Sequence, residues 1–200
     1  MSHRIEEKID IHKHNFFYLR NWLLENDAKE LFPTRTITSI YYDNDNFSMY
    51  KDSIEGVLPR KKLRIRFYSN SKDQNFYLEK KISSVEGRFK TKEKVNISKD
   101  KIIKKIYDKD YGECNPKVMI TYKRNYYFLK NTRVTIDNDI NFASMLLNKN
   151  SSRRKIFLNK LAVELKNSFN YSRDQMTKDF PFNIIRFSKY CEAINSLIKV

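Results

Sequence analysis

The stretch Arg60-Lys61-Lys62-Leu63-Arg64-Ile65-Arg66-Phe67-Tyr68 constrains this chain more than any other. Leu63, Ile65 and Phe67 alternate with Lys62, Arg64, Arg66 and Tyr68, the period of a β-strand with one apolar and one cationic face. Cations two residues apart on one strand face repel each other, and a solvated face ordinarily mixes signs. Taken alone, the stretch reads as an exposed basic strand. At least six other strand-like stretches repeat the period, with Arg, Lys or Glu on one face. The charged faces are therefore expected to converge.

Charge sets the class of partner. Lys+Arg 40 against Asp+Glu 24 leave +16, which calls for a polyanion: nucleic acid, anionic lipid or a phosphate chain. Phe 14 and Tyr 13 need somewhere to pack and exclude a disordered chain. Three glycines leave no room for a glycine-rich phosphate loop. Cys114 and Cys191 have neither disulfide-like spacing nor flanking ligands, which fits a reducing, cytoplasmic setting. No signal peptide and no apolar run of about 18 residues is seen, so no membrane segment is expected.

In chain order, Arg4–Ile11 is expected as a strand, with Arg4, Glu6, Lys8 and Asp10 on one face and Ile5, Ile9 and Ile11 on the other. A helix is predicted over about Lys13–Glu30, closed by Pro33. Its apolar side comprises Phe16, Phe17, Trp22, Leu23, Leu24, Ala28 and Leu31. Thr36–Asp43 reads as a strand and Phe47–Gly56 as a helical turn and loop. Phe76–Ile82 and Arg88–Val95 read as a hairpin about Gly87, although Glu79-Lys80-Lys81 also fits ordinary edge-strand charges. Ser98 is the expected N-cap of a helix over Lys99–Asp108, with an Ile102, Ile103 and Ile106 stripe. Lys117–Leu129 after Pro116, Arg133–Asp137 and Leu161–Lys166 complete the strands, with Tyr126 and Tyr127 read as packing residues. Asn148–Arg154 is loop-like, and a short helix is expected from Ser172. A last helix over about Ser188–Lys199 is capped by Ser188 and buries Tyr190, Ala193, Ile194 and Leu197.

Eight or so mostly antiparallel strands of this kind would gather about ten cations on one surface if the sheet were flat. The expected fold is therefore α+β: a closed antiparallel β-barrel, or tunnel, with a polar, cationic lumen and helices packed outside. It is expected to form a single domain over 1–200. Glu6, Glu79 and Glu164 are too few to neutralise the lumen and are suited to hold a hard divalent metal on a phosphate. His3, His12 and His14 have no carboxylate arranged beside them and read as surface residues.

Glu6-x-Lys8, Tyr41-Tyr42-Asp43, Arg64-x-Arg66, Glu79-x-Lys81, Tyr122-x-Arg124, Arg133-x-x-x-Asp137, Glu164-x-Lys166 and Phe187-Ser188-Lys189-Tyr190 follow one another along the chain. In this order they resemble the VTC (vacuolar transporter chaperone) catalytic domain, a polyphosphate polymerase of the triphosphate tunnel, or CYTH-like, superfamily. The resemblance implies that Lys8, Arg64, Arg66, Lys81, Lys90, Arg124, Arg133 and Lys189 cradle a triphosphate, with Lys92 as the alternative to Lys90. It implies that Glu164 holds Mn²⁺ or Mg²⁺, and that Glu6 and Glu79 match further metal carboxylates of the wider superfamily. Tyr122 and Ser188 would add hydroxyl contacts to the phosphate chain, with Lys166 beside them as a substrate-binding residue. Ser188 fits a plain N-cap equally, and the two roles are compatible at a helix start.

Three functions follow as expectations. The first is a polymerase that moves the γ-phosphate of ATP onto polyphosphate. The second is a hydrolase of the same fold, with water as acceptor. The third is a non-catalytic polyanion-binding module. Inward-facing carboxylates speak against a simple nucleic-acid binder. Eukaryotic members of the family add a phosphate-sensing domain and membrane helices; with neither expected here, a separate membrane protein would have to supply translocation.

Overall fold

A computed structural model describes residues 5–69, 75–97, 105–146, 155–167, 180–183, 185 and 187–197. The Ser98 cap, the Asn148–Arg154 loop and the helix from Ser172 lie outside them. In chain order the elements are β1 (Ile5–His12), a 3₁₀ turn (Lys13–Asn15), α1 (Phe16–Glu25), β2 (Lys29–Asp43), α2 (Ser48–Glu55), β3 (Arg60–Tyr68), β4 (Phe76–Ser84), β5 (Gly87–Val95), β6 (Ile106–Asp108), β7 (Gly112–Leu129), β8 (Thr132–Ser144), β9 (Lys155–Phe157), β10 (Lys160–Asn167) and α3 (Lys189–Leu197). The architecture is α+β. No helix among the described residues is long and apolar enough to cross a membrane.

The chain divides into two compact units, each drawn from three stretches. Met1–Thr36, Tyr122–Ile140 and Leu158–Phe187 form the first; Ile37–Thr121, Asn141–Phe157 and Ser188–Val200 form the second. In the first unit the strand order is β1-β10-β8-β7, and β1, β10 and β8 pair antiparallel. Ile9 and Ile11 of β1, Val134 and Ile136 of β8, and Leu161, Val163 and Leu165 of β10 form one apolar face, over which Leu19 and Leu23 of α1 pack. The strict alternation of these strands puts Lys8, Glu164 and Thr135 on the opposite face.

In the second unit the order is β7-β2-β3-β4-β5. Here the antiparallel registers set Arg64 opposite Tyr41 and Glu79, and Arg66 opposite Ser39 and Tyr77. Ile40, Tyr42, Leu63, Ile65 and Phe76 face the other way and bury Met49 of α2. β3 spans the nine residues read from the sequence, because each apolar residue at period two finds this core.

Two expectations fail for local reasons. The first helix stops at Glu25, well before Pro33, because Asp27 takes a left-handed conformation (φ 61°) and the Ala28 amide closes onto the Leu23 carbonyl at 2.9 Å. The chain then turns extended, Pro33 lies inside the exposed half of β2, and Phe17, Leu24 and Leu31 are exposed rather than core. The second is the helix over Lys99–Asp108. Its described end, Ile106–Asp108, is strand β6, paired with Gly112–Cys114 of β7. Asp108 accepts from the Asp110 amide (3.0 Å), a local turn that competes with helix, and Gly112 takes φ 72° to complete it.

Asp43 ties the second unit together. Its carboxylate, fully buried at the end of β2, accepts from the backbone amides of Asn44 (2.9 Å), Met49 (3.0 Å) and Tyr50 (2.9 Å), capping α2. It also accepts from the Tyr190 hydroxyl of α3 at 2.6 Å. Removing that hydroxyl with Tyr190→Phe should cost about 2 kcal/mol, the scale of a hydrogen bond to a charged group. Asp43→Ala should cost more, because it also uncaps α2. Urea melts that rank the two variants the other way would refute this division of labour.

Candidate functional site

In the second unit, β3, β4 and β5 present one strongly cationic face. Lys62, Lys81 and Lys90 form one cross-strand row; Arg64, Glu79 and Lys92 the next; Arg66, Tyr77 and Lys94 the third. Among the described residues, Glu79 is the one carboxylate that these three strands place on that face. It is no edge-strand charge, because β4 lies between β3 and β5 and Glu79 is 1% exposed.

The carboxylate of Glu79 is where the cations meet. Arg64 donates to its Oε2 from Nε (2.8 Å) and Nη2 (2.6 Å), Arg66 Nη1 lies 3.6 Å from the same oxygen, and Lys90 donates to Oε1 at 2.6 Å. Burial would raise the Glu79 carboxyl, but Arg64, Arg66 and Lys90 outweigh it and hold the group well below the usual carboxylate range. Burial and the two guanidinium groups lower the Lys90 ammonium, against the pull of Glu79. Lys92, the register partner of Glu79, instead lies over the Tyr77 ring at 3.7 Å. Of the two lysines left open by the sequence, Lys90 is the one joined to the arginines.

Arg64 also donates from Nη1 to the Tyr41 hydroxyl (2.7 Å), and Tyr41 stacks on Tyr190 with ring centroids 5.1 Å apart. Burial, then the Asp43 charge, pushes the Tyr190 hydroxyl far up, so it stays a donor. Arg66 Nε reaches Ser39 Oγ at 3.3 Å. At the start of α3, Ser188 Oγ accepts from Lys62 Nζ (2.7 Å) and from the Cys191 amide (3.4 Å), so it caps the helix, and Lys189 is the first helical residue. Lys62, Tyr41 and Asp43 belong to this constellation although sequence reasoning assigned none of them a site role. The alternation of Lys62 with Arg64 was the available signal.

The first unit carries a second polar face. Glu6 of β1 is opposite Lys166 of β10, which is opposite Arg133 of β8; Lys8 is opposite Glu164, which is opposite Thr135. Glu6 is placed by its backbone register only. Glu164 is 9% exposed, with Lys166 Nζ 3.4 Å from its Oε1. Arg124 grips Asp137 through two nitrogens (2.5 and 2.7 Å), and its guanidinium stands 5.3 Å from the Tyr122 ring. Burial works against the Arg124 charge, but Asp137 more than restores it. Elsewhere in this unit, Tyr127 is in the core, as read, and His12 and His14 lie exposed beside each other. His3 lies outside the described residues.

The sequence matches the VTC domain over residues 3–198. The chain belongs to the VTC domain family. A stretch of 66 residues is 38% identical to vacuolar transporter chaperone complex subunit 4 of Schizosaccharomyces pombe, covering 29% of this chain but 9% of that protein. Three solved structures share the fold. A protein from Pyrococcus horikoshii OT3 superposes with a TM-score of 0.56 at 11% identity, covering 96% of this chain and 99% of that one. A putative adenylate cyclase from Vibrio parahaemolyticus gives 0.56 at 10%, with the same coverage. A putative adenylyl cyclase from Hippeastrum, described as having a dominant triphosphatase activity, gives 0.51 at 13%, covering 96% of each. The chain thus shares its fold with these three structures.

The donor set bears on the metal expected in this family. Among the described residues, no group of three or more His, Cys, Asp or Glu could hold a metal ion. Mg²⁺ commonly binds through one or two carboxylates plus substrate phosphate oxygens and waters. Glu164 fits a cation that arrives with phosphate, whereas both Glu79 oxygens already receive cations.

Because its folded pKa is depressed, Glu79 contributes stability that is full above the unfolded value, about 4.3, and drains as pH falls below it. Glu79→Gln should therefore lower stability at neutral pH by about 3 kcal/mol, leaving buried guanidinium groups uncompensated. It should also flatten the acid limb of stability below pH 4.3. Melting curves across that range with the same acid slope in both proteins would contradict the assignment.

Proposed function

We propose that this VTC domain is a polyphosphate polymerase that transfers the γ-phosphate of ATP to the end of a polyphosphate chain and releases ADP. The observation that carries the reading is the cluster of buried Arg64 and Arg66 with the more exposed Lys90, three cations on one carboxylate, in a chain that matches the VTC domain from 3 to 198. Three positive charges on one negative leave an excess that phosphate oxygens would balance. In this reading 1–200 acts as a single domain, which the VTC match over residues 3–198 supports.

Arg64 and Arg66 would fork onto phosphate oxygens, and Lys8, Lys81, Lys90, Arg124, Arg133 and Lys189 would add charge along the chain. Tyr122, Ser188 and Lys166 would orient it. A terminal oxygen of the chain attacks the γ-phosphorus, the bond to the β–γ bridging oxygen breaks, and ADP leaves with the electron pair. Transfer through a loose, charge-rich transition state needs positioning and electrostatic stabilisation rather than a covalent nucleophile. Mn²⁺ or Mg²⁺ held by Glu164 would neutralise charge on the transferred phosphate. The two free cysteines, both buried, accord with a cytoplasmic setting.

Hydrolysis is the competing reading, favoured by the triphosphatase description of the Hippeastrum structure. Incubation with ATP and Mn²⁺, with products resolved on a gel, separates the alternatives. A polyphosphate ladder is expected; free phosphate alone would mean a hydrolase, and no turnover a binding module. Glu164→Gln should lower turnover by about 100-fold while the melting temperature is largely kept, since a metal ion supplies several kcal/mol at the transition state. Full activity in that variant would remove Glu164 from the mechanism.

Binding supplies an independent check. Tripolyphosphate should raise the melting temperature well beyond sulfate at equal ionic strength, by mass action on the folded state. Arg66→Ala should reduce that rise and Arg153→Ala should leave it. Equal effects of the two substitutions would point to a diffuse surface site instead.

A further inference from the structure

Thr135 occupies the middle of the polar face of β8, with Arg133 two residues before it and Asp137 two after. Across the strands it is opposite Glu164, which is in turn opposite Lys8. It is 1% exposed, and its hydroxyl makes no hydrogen bond among the described residues. A buried hydroxyl without a partner loses its hydration and receives nothing in return. Valine has the same shape, carries no such penalty and is favoured in strands, so fold stability alone does not account for threonine here. An orphaned buried polar group next to a row of charges points to a partner that comes from outside the fold.

We propose that Thr135 is a further ligand of the phosphate chain, its hydroxyl donating to a phosphate oxygen beside Glu164. The inference rests on the phosphate-transfer reading above. The chemistry of the row selects the ligand. Lys8 on β1, and Arg133 and Lys166 in the adjoining row, attract anionic oxygens, and the Glu164 carboxylate accepts a cation. A hydroxyl across from Glu164, on the strand next to it, complements a phosphate oxygen by donating its proton. Water does not reach the hydroxyl in the ligand-free state. Contact therefore requires neighbouring side chains to move, and the flexible stems of Lys8 and Lys166 would swing when their ammonium groups engage phosphate.

The test compares Thr135→Val, Thr135→Ser and the unaltered full chain. Tripolyphosphate binding is titrated calorimetrically in EDTA and in Mn²⁺, and urea melts are run without ligand. Thr135→Val should keep or gain stability yet lose about tenfold in tripolyphosphate affinity under both conditions, whereas Thr135→Ser should stay within about threefold. Unchanged affinity in Thr135→Val overturns the assignment. So does a clear loss of ligand-free stability, because the hydroxyl would then have a partner within the fold. A binding loss confined to Mn²⁺ also overturns it, by moving the hydroxyl onto a metal-bound water. If the unaltered protein itself ignores tripolyphosphate, the phosphate-transfer reading falls and this inference with it. If it binds and Thr135→Val binds equally, only this inference falls.

Discussion

Arg64 and Arg66 are nearly buried on one face of β3, and the carboxylate of Glu79 on β4 is what lets them stay there. Two guanidinium groups two residues apart repel, and neither could leave water without a counter-ion. Glu79 answers both because the β3–β4 register sets it opposite Arg64, and Lys90 closes on its other oxygen from β5. The same arrangement leaves the face short of negative charge. A geometry that satisfies the arginines well enough to fold, and incompletely enough to bind, is suited to an anion that comes and goes.

The cations are also held in place by uncharged groups. Tyr41 accepts from Arg64 and stacks on Tyr190, whose hydroxyl donates to Asp43, the cap of α2. The path joins β2, β3, α2 and α3 by hydrogen bonds and ring contact, so the guanidinium and the start of α3 share one frame. Such fixing matters for phosphoryl transfer, where little beyond orientation and field is asked of the protein. It also explains why Tyr41-Tyr42-Asp43 and Phe187-Ser188-Lys189-Tyr190, far apart in the chain, behave as one feature.

Much of this was legible from alternation. β3, β4 and β10 lie where period-two reading puts them, because each has an apolar core on one side that rewards strict alternation, whereas β5, exposed along most of its length, is set by its pairing with β4. Reading failed where a local device overrode an apolar pattern. The Leu24, Ala28 and Leu31 spacing looks helical, yet Asp27 in the left-handed region ends α1 and sends the chain extended. Ile106 fits a helical stripe, yet the Asp108 turn folds it onto β7.

By itself the sequence determined which residues share a strand face, since side chains alternate at every step of an extended chain. It determined too the excess of positive charge that an anionic partner would answer, since charge needs no structure to be counted. Only the tertiary structure decided which charges meet. Lys90 rather than Lys92 reaches Glu79, Asp137 engages Arg124, and Thr135 comes to lie opposite Glu164 with its hydroxyl unpaired. Cross-strand register and side-chain reach set those choices. Both arise from contacts between residues remote in sequence, which no local pattern records.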